Sequence, residues 1–249
     1  MSDLAGRIAL VVGASRGFGR GIAEALAAAD AEVHALARSD LSELVRASGG
    51  RIRTIAADAT DPVLAPRVLR ELKPNLVVLN AGAAPEMAPI QDQTWESFSV
   101  NWNTDVKIAF HWITAALREP LARGSSVVAL SSGAVLHGSP LSGGYAGAKA
   151  MIRFLTQYAA DESSRAKLGI QFVALLPSLT PATNLGRAAV EAYARRSGRT
   201  AEEALTKQGA PLTTAAVGAA VIRLVLDPAR DEHRAFRLDA GGMTPLNCV

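Results

Sequence analysis

The stretch Ile8-Ala-Leu-Val-Val12-Gly13-Ala-Ser15-Arg16-Gly17-Phe18-Gly19 joins a continuous apolar run to a glycine-rich turn, and the alanine-rich segment Phe18–Ala29 follows it. An unbroken apolar run ending at glycine has the pattern of a strand covered on both faces, as in a parallel sheet. The glycines permit a tight turn and let backbone N–H groups approach a phosphate. A helix beginning near Gly17 aims its positive end at the same point. The spacing is Gly-x3-Gly-x-Gly rather than the Gly-x-Gly-x2-Gly of many dinucleotide sites, so in isolation the loop reads as a turn as readily as a phosphate cradle. Its position between a strand and a helix favours the cradle.

Outward from this stretch the same alternation repeats. Further apolar runs lie at Glu32–Ala37, Ile52–Ala56, Leu76–Leu79, Ser126–Leu130, Ile170–Leu176 and Ala235–Asp239. Helical patterns fall between them at Leu41–Ala47, Pro62–Leu72, Trp95–Arg118, Tyr145–Ala166 and Thr213–Leu226. Strands alternating with helices predict βαβ units, hence a three-layer, doubly wound α/β fold. The sheet is expected to have seven strands, mostly or wholly parallel, in one domain over residues 1–249. Residues 180–211 are the least patterned and are expected to form a substrate-side loop or lid, beyond a strand's C-terminal edge where open α/β sheets bind ligands.

The chain has 249 residues, 49% of them hydrophobic and 20% charged, which excludes disorder and allows a large core. A single cysteine, Cys248, excludes a disulfide framework and suits a reducing compartment. The four histidines, at 34, 111, 137 and 233, form no metal-ligand pattern with it. Net charge is +3 from 26 basic and 23 acidic residues, interspersed, which argues against nucleic-acid binding. Neither a signal-peptide pattern nor a membrane-spanning run is present, so the expectation is a cytoplasmic protein without a membrane partner.

Several residues carry candidate chemistry. At the end of the second strand Arg38 stands where an acidic residue would bind a ribose 2′-hydroxyl, and an arginine there suits a 2′-phosphate. With Arg16 in the glycine loop, it favours NADP over NAD. Asp58, next to Ala59 beyond the third strand, has two readings, an acceptor for an adenine amino group or a helix cap. Tyr145 and Lys149 share one helix face at i and i+4. A lysine cation lowers the pKa of a nearby phenol, which makes Tyr145 a candidate general acid and base. Ser132, past the fifth strand, reads as a loop serine or as a donor to a substrate oxygen. Asn101 reads as a surface asparagine or as an anchor for a water near Lys149.

Taken together these motifs resemble the short-chain dehydrogenase/reductase family, in its single-domain branch. Gly13-Ala-Ser15-Arg16-Gly17-Phe18-Gly19 matches the family's cofactor loop, Asn80-Ala81-Gly82 its Asn-Ala-Gly motif, and Asp58 its adenine-contacting aspartate. Asn101, Ser132, Tyr145 and Lys149 match its catalytic tetrad in order and spacing, and the likeness runs from about Arg7 to Gly242. Pro177-Ser178-Leu-Thr180-Pro181 departs from the family's Pro-Gly segment beside the nicotinamide, although Pro177 and Thr180 keep their places.

The resemblance implies a Rossmann fold and hydride transfer between NADPH and a carbonyl or alcohol substrate. It implies that Tyr145 and Lys149 also contact the cofactor, and that the chain forms a homotetramer. A 3-oxoacyl thioester is one substrate class it allows, with Arg187, Arg195, Arg196 and Arg199 as a basic patch for a carrier protein. A non-catalytic nucleotide sensor or scaffold is the competing reading, and the intact Tyr145/Lys149 pair counts against it. Val135, Leu136, Leu141, Gly143, Gly144 and Tyr193 are the expected pocket wall, while Phe98, Trp102 and Phe110 are expected in the core or at a subunit interface.

Overall fold

Each run forms a strand whose successive side chains point to opposite faces, and in the central strands both faces are covered, whereas the edge strand Ile52–Ala56 is largely exposed. In β1 (Ile8–Val12), Ala9 and Val11 enter one core cluster while Leu10 and Val12 enter the other. The computed structural model describes residues 4–208, 210–227 and 233–247; Cys248 lies outside them. After β1 come α1 (Gly17–Ala28), β2 (Glu32–Ala37), α2 (Ser42–Ala47), β3 (Ile52–Ala56), α3 (Leu64–Leu72) and β4 (Leu76–Leu79). The chain continues through α4 (Trp95–Asn101), α5 (Lys107–Arg118), β5 (Ser126–Leu130), α6 (Ala134–His137), α7 (Gly143–Arg165) and β6 (Gln171–Pro177). It ends with α8 (Asn184–Arg196), α9 (Ala201–Gln208), α10 (Thr214–Leu226), β7 (Ala235–Asp239) and β8 (Gly242–Pro245).

The sheet order is β3-β2-β1-β4-β5-β6-β7-β8, parallel through β7. Ile22 and Leu26 of α1 pack with Val217, Val221 and Leu224 of α10 on one side of the sheet. On the other side Leu64 and Val68 of α3, Ile108 and Trp112 of α5, and Ile152 of α7 close the second core. This is the doubly wound α/β architecture expected from the alternation.

Three expectations need correction, and one segment gains detail. The sheet has eight strands, not seven, because β8 folds back antiparallel on β7. Gly-Met-Thr-Pro is a short edge strand that buries little, so it carries no apolar alternation to read. The sixth strand starts and ends one residue later than its apolar run. The helix expected over Trp95–Arg118 is interrupted by a π turn at Trp102–Val106, between α4 and α5. Residues 180–211 include two helices, α8 and α9, with Gly209 outside the described residues. The face that α8 buries is mostly small, with Gly186, Ala189, Ala192 and Ala194, and so gives a weak hydrophobic period.

Trp102 and Phe110 lie about half exposed and Trp95 more so, on the outer surface rather than in the core. No helix among the described residues is long and apolar enough to cross a membrane. Trp112 is 1% exposed, and its Nε1–H donates to the Ala59 carbonyl 3.2 Å away, tying α5 to the loop after β3. Trp112→Ala is expected to cost about 3–5 kcal/mol, read as a lower midpoint of urea unfolding.

Candidate active site

At β1 and β4 the sheet order reverses, so the chain leaves these neighbouring strands toward opposite sides and opens a crevice at their C-terminal ends. The two exits touch. Gly13 has φ +89°, and a Cβ there would lie 2.5 Å from the Ala81 backbone. The Asn80 side-chain amide donates to the Gly13 carbonyl at 2.9 Å, clamping the glycine loop to the end of β4. Gly19 does not line the crevice. It lies beneath the loop, where a Cβ would sit 2.0 Å from the Gly13 carbonyl oxygen. Its role is to let α1 start close under the loop.

Arg16, at the N-cap of α1, supplies no side-chain cap, and the first turn holds no acidic residue. The first N–H groups of the helix therefore point, uncapped, toward the crevice and suit an anion. The cleft that starts here is lined by Ser15, Arg16, Gly17 and Phe18, then by Asn80, Ala81 and Gly82. Its volume of ≈ 1320 Å³ exceeds the roughly 300–1,000 Å³ of an ordinary small-molecule pocket and has room for a dinucleotide beside a second ligand.

Arg38, Asp58 and Ala59 line one end of the cleft. Arg16 and Arg38 are exposed, and neither forms an ion pair among the described residues. Asp40, two residues past Arg38, lines the same end, but its carboxylate accepts from the Ser42 amide at 2.9 Å and from the Ser42 hydroxyl at 2.6 Å. Asp58 accepts from the amide and the hydroxyl of Thr60, and these bonds hold its carboxyl below the usual range. That local turn, rather than a cap on α3, occupies one of its oxygens.

The other end holds Ser132, Tyr145, Lys149, Pro177 and Thr180 on one wall. The Thr180 hydroxyl is engaged away from the cleft, donating to the Leu212 carbonyl at 2.6 Å. Ser132 Oγ accepts from the Ala134 amide at the start of α6. Lys149 Nζ stands 5.6 Å from the Tyr145 ring centre, one helical turn along α7. It donates to the Leu130 carbonyl at 3.2 Å and lies 3.1 Å from Asp105 Oδ2. The two side chains of this ion pair are 7% and 1% exposed. Burial presses the lysine pKa down, but the charges of Asp105 and Tyr145 outweigh it and leave the ammonium above its ordinary value.

Asn101 is not a surface residue, nor does it reach the cleft wall. It is 1% exposed and sits behind the wall, its amide donating to the Ala83 carbonyl at 2.8 Å and to Asp105 Oδ1 at 3.3 Å. Its own Oδ1 is buried without a protein partner. Asp105 escaped the sequence reading. Its signal was its spacing, because Asn101, Asp105, Ile108 and Trp112 recur at 4, 3 and 4 residues on the buried face of the helix. A carboxylate on such a stripe needs a partner.

Of the expected pocket wall, Leu136 and Tyr193 line the cleft. Val135 packs instead with Ala174, Leu176 and Ala235, Leu141 is buried, and Gly143 and Gly144 lie against Phe98. Ser139 and Ser142 take their places on the wall. The Ser139 hydroxyl is hydrogen-bonded to that of Tyr193 and, at 2.6 Å, to that of Ser142.

A crevice with uncapped helix N–H groups at one end and a phenol, a hydroxyl and a buried ammonium at the other has the chemistry of an oxidoreductase of the dinucleotide-binding class. The family model described as short chain dehydrogenase matches residues 7–194. The L-xylulose reductase of Bos taurus is 31% identical over 190 residues, covering 75% of this chain and 76% of the relative. The sorbitol dehydrogenase of Cereibacter sphaeroides is 32% identical over 181 residues, covering 69% and 70%. A solved Agrobacterium tumefaciens protein, titled a 2-deoxy-D-gluconate 3-dehydrogenase on a provisional basis and holding NADP, superposes with TM-score 0.81 at 27% identity, covering 96% of this chain and 97% of that one. The chain belongs to the short-chain dehydrogenase/reductase family, nicotinamide-dependent enzymes that interconvert CH–OH and C=O groups.

The Asn80 clamp gives a direct check. Asn80→Ala leaves the Gly13 carbonyl without this partner and is expected to cost about 1–3 kcal/mol in urea unfolding.

Proposed function

We propose that the protein is an NADP-dependent carbonyl reductase or alcohol dehydrogenase acting on a short, hydroxyl-bearing substrate, with Ser132, Tyr145, Lys149 and Asn101 as its catalytic set. The observation that carries this reading is the buried ammonium of Lys149 beside the Tyr145 ring, on the wall that also bears Ser132. A bound nicotinamide would supply or accept the hydride. Ser132 and Tyr145 donate hydrogen bonds to the substrate oxygen as negative charge grows there, and Tyr145 passes its phenolic proton to it. Lys149 stabilises the phenolate left behind. The open Oδ1 of Asn101 suits a water that would return the proton.

Arg16 and Arg38, exposed and outside any described ion pair, support a 2′-phosphate and hence NADP over NAD. The NADP in the similar Agrobacterium structure supports the same choice. The hydroxyls of Ser139, Ser142 and Tyr193 on the substrate wall suit a ligand with several hydroxyl groups, as do the sugar and polyol names of the relatives. A non-catalytic nucleotide sensor would have no use for a buried charged lysine beside a phenol. The chain acts as one domain, with residues 180–211 on the substrate side of the cleft. Trp95, Trp102 and Phe110 on the outer helix face support a homotetramer, and the single cysteine suits the cytoplasm.

Titration of the purified protein with NADPH and NADH, followed by nicotinamide fluorescence, is expected to show tighter NADPH binding. Arg38→Ala should weaken NADPH about tenfold or more and leave NADH nearly unchanged, about 1.4 kcal/mol carried by the phosphate contact. Tyr145→Phe is expected to lose about 10²–10⁴ of the turnover of NADPH with small ketoses while keeping NADPH binding. Full turnover in that variant would refute the assignment.

A further inference from the structure

We propose that Asp105 is a positioning residue of this site, a buried carboxylate that anchors the Lys149 ammonium between the loop after β4 and the face of α7. The inference rests on the proposed role of Lys149 beside Tyr145. Asp105 lies in the π turn between α4 and α5 and is 2% exposed. One carboxylate oxygen accepts from the Ala83 amide at 2.8 Å and from the Asn101 side-chain amide at 3.3 Å. The other lies 3.1 Å from Lys149 Nζ and has no well-aligned hydrogen bond of its own. It presses against Gly82, where a Cβ would come within 2.5 Å of it. The carboxylate therefore joins the loop after β4, the buried asparagine and the lysine in one cluster.

A buried ion pair of this kind is no gain in stability over two apolar side chains, because both charges lose water. Its use here is to keep the lysine charged and immobile. The elements packed around α7 carry Glu96, Asp105, Lys107, His111, Arg118 and His137 as ionisable groups. Among the described residues Asp105 alone is in ion-pair contact with Lys149, and the phenol of Tyr145 is the second group acting on it. Strands β5 and β6, against the same helix, carry no ionisable side chain. Lys149 thus has one carboxylate to hold its proton.

Asp105→Asn tests the charge and keeps the shape and the acceptor for Ala83. In the native protein the lysine pKa is raised above its unfolded value, near 10.4, so the pair's contribution is present below that value and lost only above it. Native stability from this source is flat between pH 7 and about 10. In the variant, burial is no longer outweighed and the folded lysine pKa falls below the unfolded one. The penalty for a buried unpaired ammonium is then full at low pH and disappears as the lysine loses its proton. Thermal unfolding without cofactor is expected to show a deficit at pH 7 that shrinks by at least half by about pH 10.

A second readout is catalytic. Loss of one negative charge makes a proton easier to remove from Lys149. The alkaline limb of kcat/KM for NADPH-driven carbonyl reduction should move down by about one pH unit. Asp105→Glu, which restores the charge, should bring the limb most of the way back. If Asp105→Asn is too unstable to purify, the double variant D105N/K149M should recover much of the loss, because no charge is left unpaired.

A deficit independent of pH, with the limb unmoved, overturns the proposal and leaves Asp105 a packing residue. For the unpurifiable case, a double variant no more stable than the single one has the same meaning. Absence of any reduction with either cofactor in the native protein refutes the catalytic reading instead, while the unfolding series still decides the ion pair.

Discussion

The contact between the two chain exits at β1 and β4 is the constraint on which the site depends. Gly13 can lie against Ala81 only because it has no side chain, and the Asn80 amide fixes the separation by bonding the Gly13 carbonyl. The same contact sets where α1 begins and hence where its uncapped N–H groups point. The next residues of the β4 exit, Gly82 and Ala83, continue the line by resting on and bonding to Asp105. Asp105 in turn meets Lys149. Four consecutive residues, Asn80 to Ala83, thus link the anion-binding end of the cleft to its chemical end.

Lys149 is held more thoroughly than a general electrostatic role would need. Its main-chain carbonyl accepts from Ser131, its ammonium donates to Leu130, and Asp105 meets the ammonium from the opposite helix. Immobility matters because an ordered charge in a low-dielectric site acts strongly and needs no reorganisation during a reaction. Tyr145 and Ser132 are half-buried on a cleft that admits ligands, while Lys149 and Asp105 beside them are buried and Asn101 lies behind the wall. The hydroxyls thus keep part of their surface open to a ligand, and the charges beside them do not.

The major elements were legible because their signals are local. Six of the eight strands begin and end where their runs do, most of them central strands covered on both faces, which need no partner to be recognised. Signals that depend on neighbours were weaker. Strand β8 draws its identity from pairing with β7, and α8 buries small residues whose pattern is faint. Gly19 and Asn101 were legible as residue types at family spacings, yet both lie behind the wall they support. Thr180 sits at the expected wall, but its hydroxyl is committed to Leu212, far along the chain.

By itself the sequence determined the class of fold, the glycine loop, the phenol–ammonium pair on one helix face and the family. Each of these is written in short stretches of residues whose periodicity or spacing survives without a partner. Only the tertiary structure decided that Asn80 clamps Gly13, that Asn101 is buried, and that Asp105 reaches Lys149. These are contacts between segments 67, 18 and 44 residues apart respectively, Asn101 meeting Ala83 in the second case. Such contacts arise from the close packing of helices on a sheet, and a carboxylate on a helix has no visible partner until that packing brings one to it.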